Sequence, residues 1–442
     1  MKSHYAILLL ALQSSVTESF APVNTHVLSK TLKPYFKPSV SAICAEPKPG
    51  SIGSLIDSTL KISEFVYTYG TIRRVVNDHD RLIRDGKPLP EGFLGLRKKK
   101  LVDMYRPELV VTQRGAQDDD PNKYMNYAVT GPALIEFLRN NRQFLKQDEE
   151  GGDVEFQELN EKSENLPELY TERKIDTLSK FDGEIVDYFD QTTNKYGFVY
   201  GITINRTMKR ITVTFRGTVG GTDFLADANF NPNREHFEHL GRDVKVHSGF
   251  SGYLFQKLKD ESRTRYDRIV AALKDIYHDI PESDRNGYKV VVSGHSLGGA
   301  LANLFSFTLA LREDEESCPL FHYVQAVTFA GPVVGNSGYN DVFEELERKK
   351  KLNMIRVSNQ GDLVPTNPSP YEYLQNGVNM HVFEDKKMEV AHDNQKSLLS
   401  QVNLKALTNH GFPTYKSRIF EVDSNMEILD QSFDEVYQAH MP

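Results

Sequence analysis

Residues 290–299 read V-V-V-S-G-H-S-L-G-G, and no other stretch limits the fold as tightly. A β-branched run ends in G-x-S-x-G and passes at once into a helical pattern of Ala300, Leu301, Leu304, Phe307 and Leu311. A strand that turns sharply into a helix in this way leaves the central serine at a strained, exposed tip. Gly294 and Gly298 carry no Cβ, so strand and helix can pass close to one another around the turn. Leu297 opens the helix, and its backbone N–H therefore faces any anion formed beside Ser296. Ser296 is expected to be a nucleophile.

The surrounding chain reads as alternating strands and helices. F-V-Y-G-I-T-I-N and K-R-I-T-V-T-F-R-G-T form two adjacent strands around a polar turn at Arg206–Lys209. Val244–Phe250 is a short strand or loop, and Tyr253–Tyr277 has a helical period. Strands over 288–293, Tyr323–Phe329 and Leu352–Val357 follow, with a helix over Tyr339–Lys350. The alternation predicts an α/β fold with a mostly parallel central sheet wrapped by helices. Reactive groups in such sheets lie beyond the strand C-termini, where Ser296 and Asp362 both fall.

Upstream, Leu55, Leu60, Ile62, Phe65, Val66, Tyr69, Ile72 and Val76 repeat at helical spacing over 52–83, and Met125–Leu145 suggests another helix broken near Gly131-Pro132. The acidic runs at 118–121 and 148–158 are expected to be solvated loops. Residues 46–180 are thus taken as an N-terminal helical extension, 181–420 as the catalytic domain and 421–442 as a C-terminal tail.

Residues 1–45 have presequence composition. Tyr5–Leu12 is an apolar run too short to span a bilayer, as in a signal peptide. From Phe20 to Ala45 there is no Asp or Glu, while Lys30, Lys33 and Lys37 sit among Ser, Thr and Pro. A signal peptide followed by such a stretch resembles the bipartite presequence of algae with complex plastids, with Phe20 at the junction. A plain secretory signal with a polar linker is the alternative. Cys44 falls in this segment, leaving Cys318 without an internal disulfide partner in the mature chain.

The 442-residue chain has an ordinary soluble composition, 39% hydrophobic and 26% charged. Its formal charge of −8 argues against a nucleic-acid partner. The basic runs at 347–351 and 97–100 read as a helix C-terminus and a solvated surface. No metal-spaced His/Cys cluster is present, and no metal or organic cofactor is expected.

A serine hydroxyl needs a base, usually His oriented by a carboxylate. Asp362, in a Gly-led turn after strand Leu352–Val357, is placed to be that carboxylate; the other reading is an Asx-type turn residue. Four histidines follow it. His410 lies in L-T-N-H-G-F-P-T-Y and is the preferred base, with His381, inside the strand pattern V-N-M-H-V-F, as the alternative. His392 falls in a charged loop and His440 near the chain end. His295 and His247 read as packing or hydrogen-bonding groups.

I-T-V-T-F-R-G-T at 211–218, V-H-S-G-F at 246–250, G-H-S-L-G-G at 294–299, T-F-A-G-P-V-V-G-N at 328–336 and G-D-L-V-P at 361–365 occur in the order of the class 3, fungal-type lipases, which they resemble. The resemblance implies an α/β-hydrolase fold, with Ser296 as nucleophile, Asp362 as orienting carboxylate and His410 as base. It implies that Thr218 joins Leu297 in the oxyanion hole, that Asp227 supports Thr218, and that V-G-G-T-D-F-L-A at 219–226 is a lid carrying Phe224 and Leu225. Asn409 and two extra residues before Tyr415 depart from the family's D-H-x-x-Y. The implied activity is hydrolysis of acyl lipids at a membrane or lipid-droplet interface, with triacylglycerol, phospholipid or galactolipid as substrate. The other class of function is a catalytically silent, lipase-fold interaction protein.

Overall fold

The structure is a computed structural model and describes residues 47–84, 129–130, 181, 183–189, 198–217, 232–233, 236–257, 263–312, 318–362, 364–365, 373–392, 409–420 and 425–441. The presequence reading, Thr218, Asp227, Phe224 and Leu225 lie outside the described residues.

Helix α1 spans Ile52–Arg84. Strands β1 (Val129–Thr130), β2 (Glu184–Phe189), β3 (Tyr200–Asn205), β4 (Arg210–Phe215), β5 (Pro232–Asn233) and β6 (Val246–His247) follow. Next come α2 (Ser248–Phe255), α3 (Arg265–Asp279), β7 (Lys289–His295), α4 (Leu297–Ala310), β8 (Val324–Phe329), α5 (Ser337–Arg348) and β9 (Leu352–Asn359). The order closes with β10 (Val378–Val382), β11 (Met388–His392), α6 (Phe412–Phe420), α7 (Met426–Leu429) and α8 (Phe433–His440). The main sheet runs β1-β2-β3-β4-β7-β8-β9-β10-β11. Its centre, from β4 to β10, is parallel, and both margins are antiparallel. This is the α/β fold with a mostly parallel sheet that the alternation predicts.

Successive side chains on a strand point to opposite faces, and the central strands are apolar on both. Val290 and Val292 of β7, Ala326 of β8, and Leu352 and Met354 of β9 face one core, packed beneath α2 to α5. Val291, Val327, Phe329, Ile355 and Val357 face a second core with Ile52, Leu55, Ile56 and Leu60 of α1 and with Tyr415, Ile419, Leu429, Val436 and Tyr437. Each fully buried side chain of this size stabilises by roughly 1.5–3 kcal/mol, so α1 and the C-terminal helices hold the sheet from one whole side.

Four expectations are corrected. Residues 425–441 are no tail: Ser432 caps α8 in a capping box with Glu435, and Phe433, Val436 and Tyr437 enter the core. No boundary falls at 180/181, because Ala45–Pro442 is one compact unit and α1 begins on the C-terminal segment, Ile52 N–H donating to the Gln431 carbonyl at 2.6 Å. Val129–Thr130, expected to be helical, pairs with β2; two β-branched residues before Gly-Pro favour an extended backbone. The helical period over Tyr253–Tyr277 divides into α2 and α3, since Thr264 and Asp267 form a capping box that starts a new helix.

Candidate active site

The end of β7 turns into α4 at Ser296, whose φ of 58° and ψ of −128° are unusual for a residue with a Cβ. Such a conformation costs on the order of 1–3 kcal/mol and persists only where its surroundings enforce it. The enforcement is visible. A Cβ on Gly294 would strike the Gly298 carbonyl, and one on Gly298 would strike the Phe215 carbonyl at the end of β4. The Ser296 N–H donates to the Phe329 carbonyl at 2.9 Å, tying the turn to β8. Leu297 follows as the first residue of α4.

Asp362 stands just past the end of β9, beyond Gly361 at φ 81°, and is 2% exposed. Its carboxylate makes two kinds of contact at once. Its Oδ1 accepts the Val364 N–H at 3.0 Å as in an Asx turn, and both carboxylate oxygens face His410 Nδ1, at 3.1 and 3.0 Å. Tyr415 Oη donates to Asp362 Oδ2 at 2.8 Å and accepts the Asn359 N–H at 3.2 Å. Burial, and then the Asp362 charge, push the Tyr415 phenol well above its ordinary range, so it stays a donor. The two residues added to the family spacing therefore do not keep Tyr415 from the carboxylate.

The segment carrying His410 is held from three directions. Asn359 Nδ2 donates to the Asn409 carbonyl at 3.1 Å, and Arg418 donates to Asn409 Oδ1 at 2.7 Å and to the Gln360 carbonyl at 2.9 Å. His295, beside Ser296 in the chain, lies against the His410 ring at 4.6 Å and against Phe412 at 4.3 Å. Its Nε2 is 2.7 Å from the His410 carbonyl, which can only accept, so His295 Nε2 carries the proton. Burial, with the neighbouring His410, holds the His295 pKa well below its usual value and keeps the ring neutral.

The other histidines go elsewhere. His381, on β10, meets Ser358 Oγ at 2.9 Å, and β11 lies outside it, so it is not at the sheet edge as the strand pattern suggested. His392 is on β11 instead of in a loop and pairs with buried Glu347 at 3.2 Å. His440 Nδ1 donates to the Val436 carbonyl at 2.8 Å. His247 caps α2, its Nδ1 accepting the Gly249 N–H at 3.1 Å; burial lowers its pKa to about 4. Tyr67 of α1 reaches Gly217 beside the elbow, a contact with no local sequence signal. Among the described residues there is no group of three or more His, Cys, Asp or Glu able to hold a metal ion.

Residues 212–372 match the family model described as lipase (class 3). A chloroplastic galactolipase of Arabidopsis thaliana, DONGLE, is 32% identical over 166 residues, 36% of this chain and 33% of its own length. Phospholipase A1-Igamma2, a chloroplastic protein of the same plant, is 31% identical over 172 residues, 37% of this chain and 32% of its own. The chain thus spans about a third of the length of these relatives. Among solved structures, the Rhizomucor miehei lipase propeptide complex aligns at a TM-score of 0.40 and 22% identity, covering 54% of this chain and 70% of that one. Residues 212–372 thus carry the match to the class 3 lipase family, on an α/β sheet with an elbow serine.

Proposed function

We propose that the protein is a serine carboxylic ester hydrolase that cleaves acyl glycerolipids through an acyl-enzyme. The observation that carries this reading is His410 Nδ1 held by both oxygens of buried Asp362, with the His410 ring packed on His295, the chain neighbour of a serine in strained backbone. With Nδ1–H committed to Asp362, the remaining nitrogen, Nε2, has the lone pair a general base needs. Ser296 Oγ attacks the ester carbonyl while His410 Nε2 takes its proton. The tetrahedral oxyanion is met by the Leu297 N–H and by Thr218, with Asp227 supporting Thr218. Protonated His410 then gives its proton to the leaving alcohol, and water repeats the sequence on the acyl-enzyme.

Within that class we propose polar glycerolipids, galactolipids and phospholipids, ahead of triacylglycerol, and a plastid as the compartment. The acid-free stretch from Phe20 to Ala45 and the printed names of the chloroplastic galactolipase and phospholipase A1 relatives support this. Phe224 and Leu225 would form the lid over an interfacial substrate. Among the described residues no helix is long and apolar enough to cross a membrane. The test is hydrolysis of a panel of galactolipid, phosphatidylglycerol and triacylglycerol by the mature chain and its Ser296→Ala variant. Serine-dependent release of fatty acid from the polar lipids is expected. Turnover confined to triacylglycerol would overturn the substrate class, and absence of any esterase activity would favour the silent interaction protein. A reporter fused to residues 1–60 should enter a complex plastid; its appearance in the medium would make the protein a secreted lipase.

A further inference from the structure

Tyr67 lies on α1, 150 residues before Gly217 and outside the segment that matches the lipase family. Its Oη accepts the Gly217 N–H at 2.8 Å. The position of that contact is unusual. The parallel ladder between β4 and β7 ends at Phe215 and Gly294, where the elbow turns away, and Arg216 N–H goes to the Val199 carbonyl on the other side. Gly217 N–H therefore comes after the ladder, and a hydroxyl from a distant helix takes the place of a strand acceptor. The space is tight: a Cβ on Gly217 would collide with the Tyr67 hydroxyl and lie 2.7 Å from the His295 carbonyl and 3.1 Å from Ser296 Cβ. The Tyr67 ring meets the other half of the site, edge-on to Phe412 at 5.5 Å and to His295 at 6.5 Å. His295 in turn donates to the His410 carbonyl.

Resting on the ester-hydrolase reading above, we propose that Tyr67 is a positioning residue of the active site, its hydroxyl fixing Gly217 against Ser296 and its ring bracing the stack that carries His410. Gly217 immediately precedes Thr218, the proposed oxyanion donor, in the sequence, so the hydroxyl fixes the residue from which that donor follows. Such donors act only when they sit about 2.7–3.1 Å from the developing charge, and a displacement of about 1 Å costs on the order of 10²-fold in rate. On this account α1 is part of the catalytic unit, and the boundary of the family match does not mark the boundary of the site.

The experiment uses the full mature chain with p-nitrophenyl butyrate and an organophosphonate. Tyr67→Phe keeps the ring and removes only the acceptor. Its kcat should fall roughly 10- to 100-fold, with phosphonylation of Ser296 slowed in parallel and KM within about twofold of wild type. Its pH–rate profile should not move. Tyr67→Ala removes the ring as well and should lower kcat further, again with KM retained. Gly217→Ala reaches the same contact from the opposite side and should repeat the kcat loss with KM retained. Wild-type kcat in Tyr67→Phe with only a lowered Tm would make the contact merely structural and overturn the proposal. A Ser296→Ala variant that stayed active would instead overturn the ester-hydrolase reading, so the two failures are separable.

Discussion

The same three groups meet twice in this molecule. In one place His410 faces the Asp362 carboxylate, at 3.0 and 3.1 Å, and Tyr415 donates to that carboxylate. In the other, His392 faces Glu347 at 3.2 Å, and Tyr437 donates to that carboxylate. Both carboxylates are fully buried side chains, and both histidines are mostly covered, 13% and 7% exposed. What differs is the setting. Asp362 lies just beyond the C-terminal end of parallel strand β9, and His410 packs on His295, next in the chain to the strained Ser296. Glu347, His392 and Tyr437 join α5, β11 and α8 at the sheet margin, with no strained serine beside them. A His–carboxylate–Tyr cluster is by itself a way to staple elements together; the proposed catalysis at the first cluster comes from the serine it serves.

That contrast can be broken most sharply by removing the two histidines. His410→Ala should lower kcat by on the order of 10⁴ while the protein stays folded, because residues of a triad act as a unit. His392→Ala should leave kcat within about twofold yet destabilise the fold by about 3–5 kcal/mol, since it leaves a buried carboxylate short of a partner. Kinetics and denaturant unfolding of both variants check this. Comparable kcat losses in the two would erase the distinction.

A third buried histidine sharpens the structural side. His247 has a folded pKa of about 4, lowered by burial from its ordinary value near 6.5. A depressed folded pKa means the neutral form is preferred in the native state. Its contribution is fully present above pH 6.5 and is lost as pH falls from there through about 4, a total of about 3 kcal/mol. His247→Gln should flatten the acid limb of unfolding free energy against pH in that window. An unchanged limb would mean that His247 titrates alike in both states.

The smallest effects come from the two tyrosines. Tyr415→Phe should cost about 1–1.5 kcal/mol and lower kcat by about tenfold, because the Asp362 carboxylate loses a neutral donor. Tyr437→Phe should show a similar stability loss with kcat unchanged. The paired measurement separates a hydroxyl that orients a base from one that only satisfies a buried charge.

The first cluster was partly legible in the sequence, and the second was not. G-H-S-L-G-G reports its own geometry, because the glycines and serine that make the elbow are contiguous. Asp362 could be placed from the strand end before it, and His410 from the order of residues after the serine. His392 was misread as a loop residue because its partner Glu347 lies 45 positions away, in the run also read as a plain basic helix end. The C-terminal helix did announce itself: Ser432 and Glu435 have capping-box spacing, with Phe433, Val436 and Tyr437 following at helical intervals. Tyr67 had no such signal. Its hydroxyl is defined only by where α1 crosses the end of β4, which is a tertiary fact and not a local pattern.

The central claim, that Ser296 is the nucleophile served by the first cluster, is tested most directly by covalent trapping. The protein is treated with an organophosphonate until esterase activity is gone, and the adduct is mapped by peptide mass spectrometry. The account predicts one adduct per chain, on Ser296, appearing in step with loss of activity and abolished in Ser296→Ala. An adduct on another serine, or full labelling of Ser296 with activity retained, would contradict it.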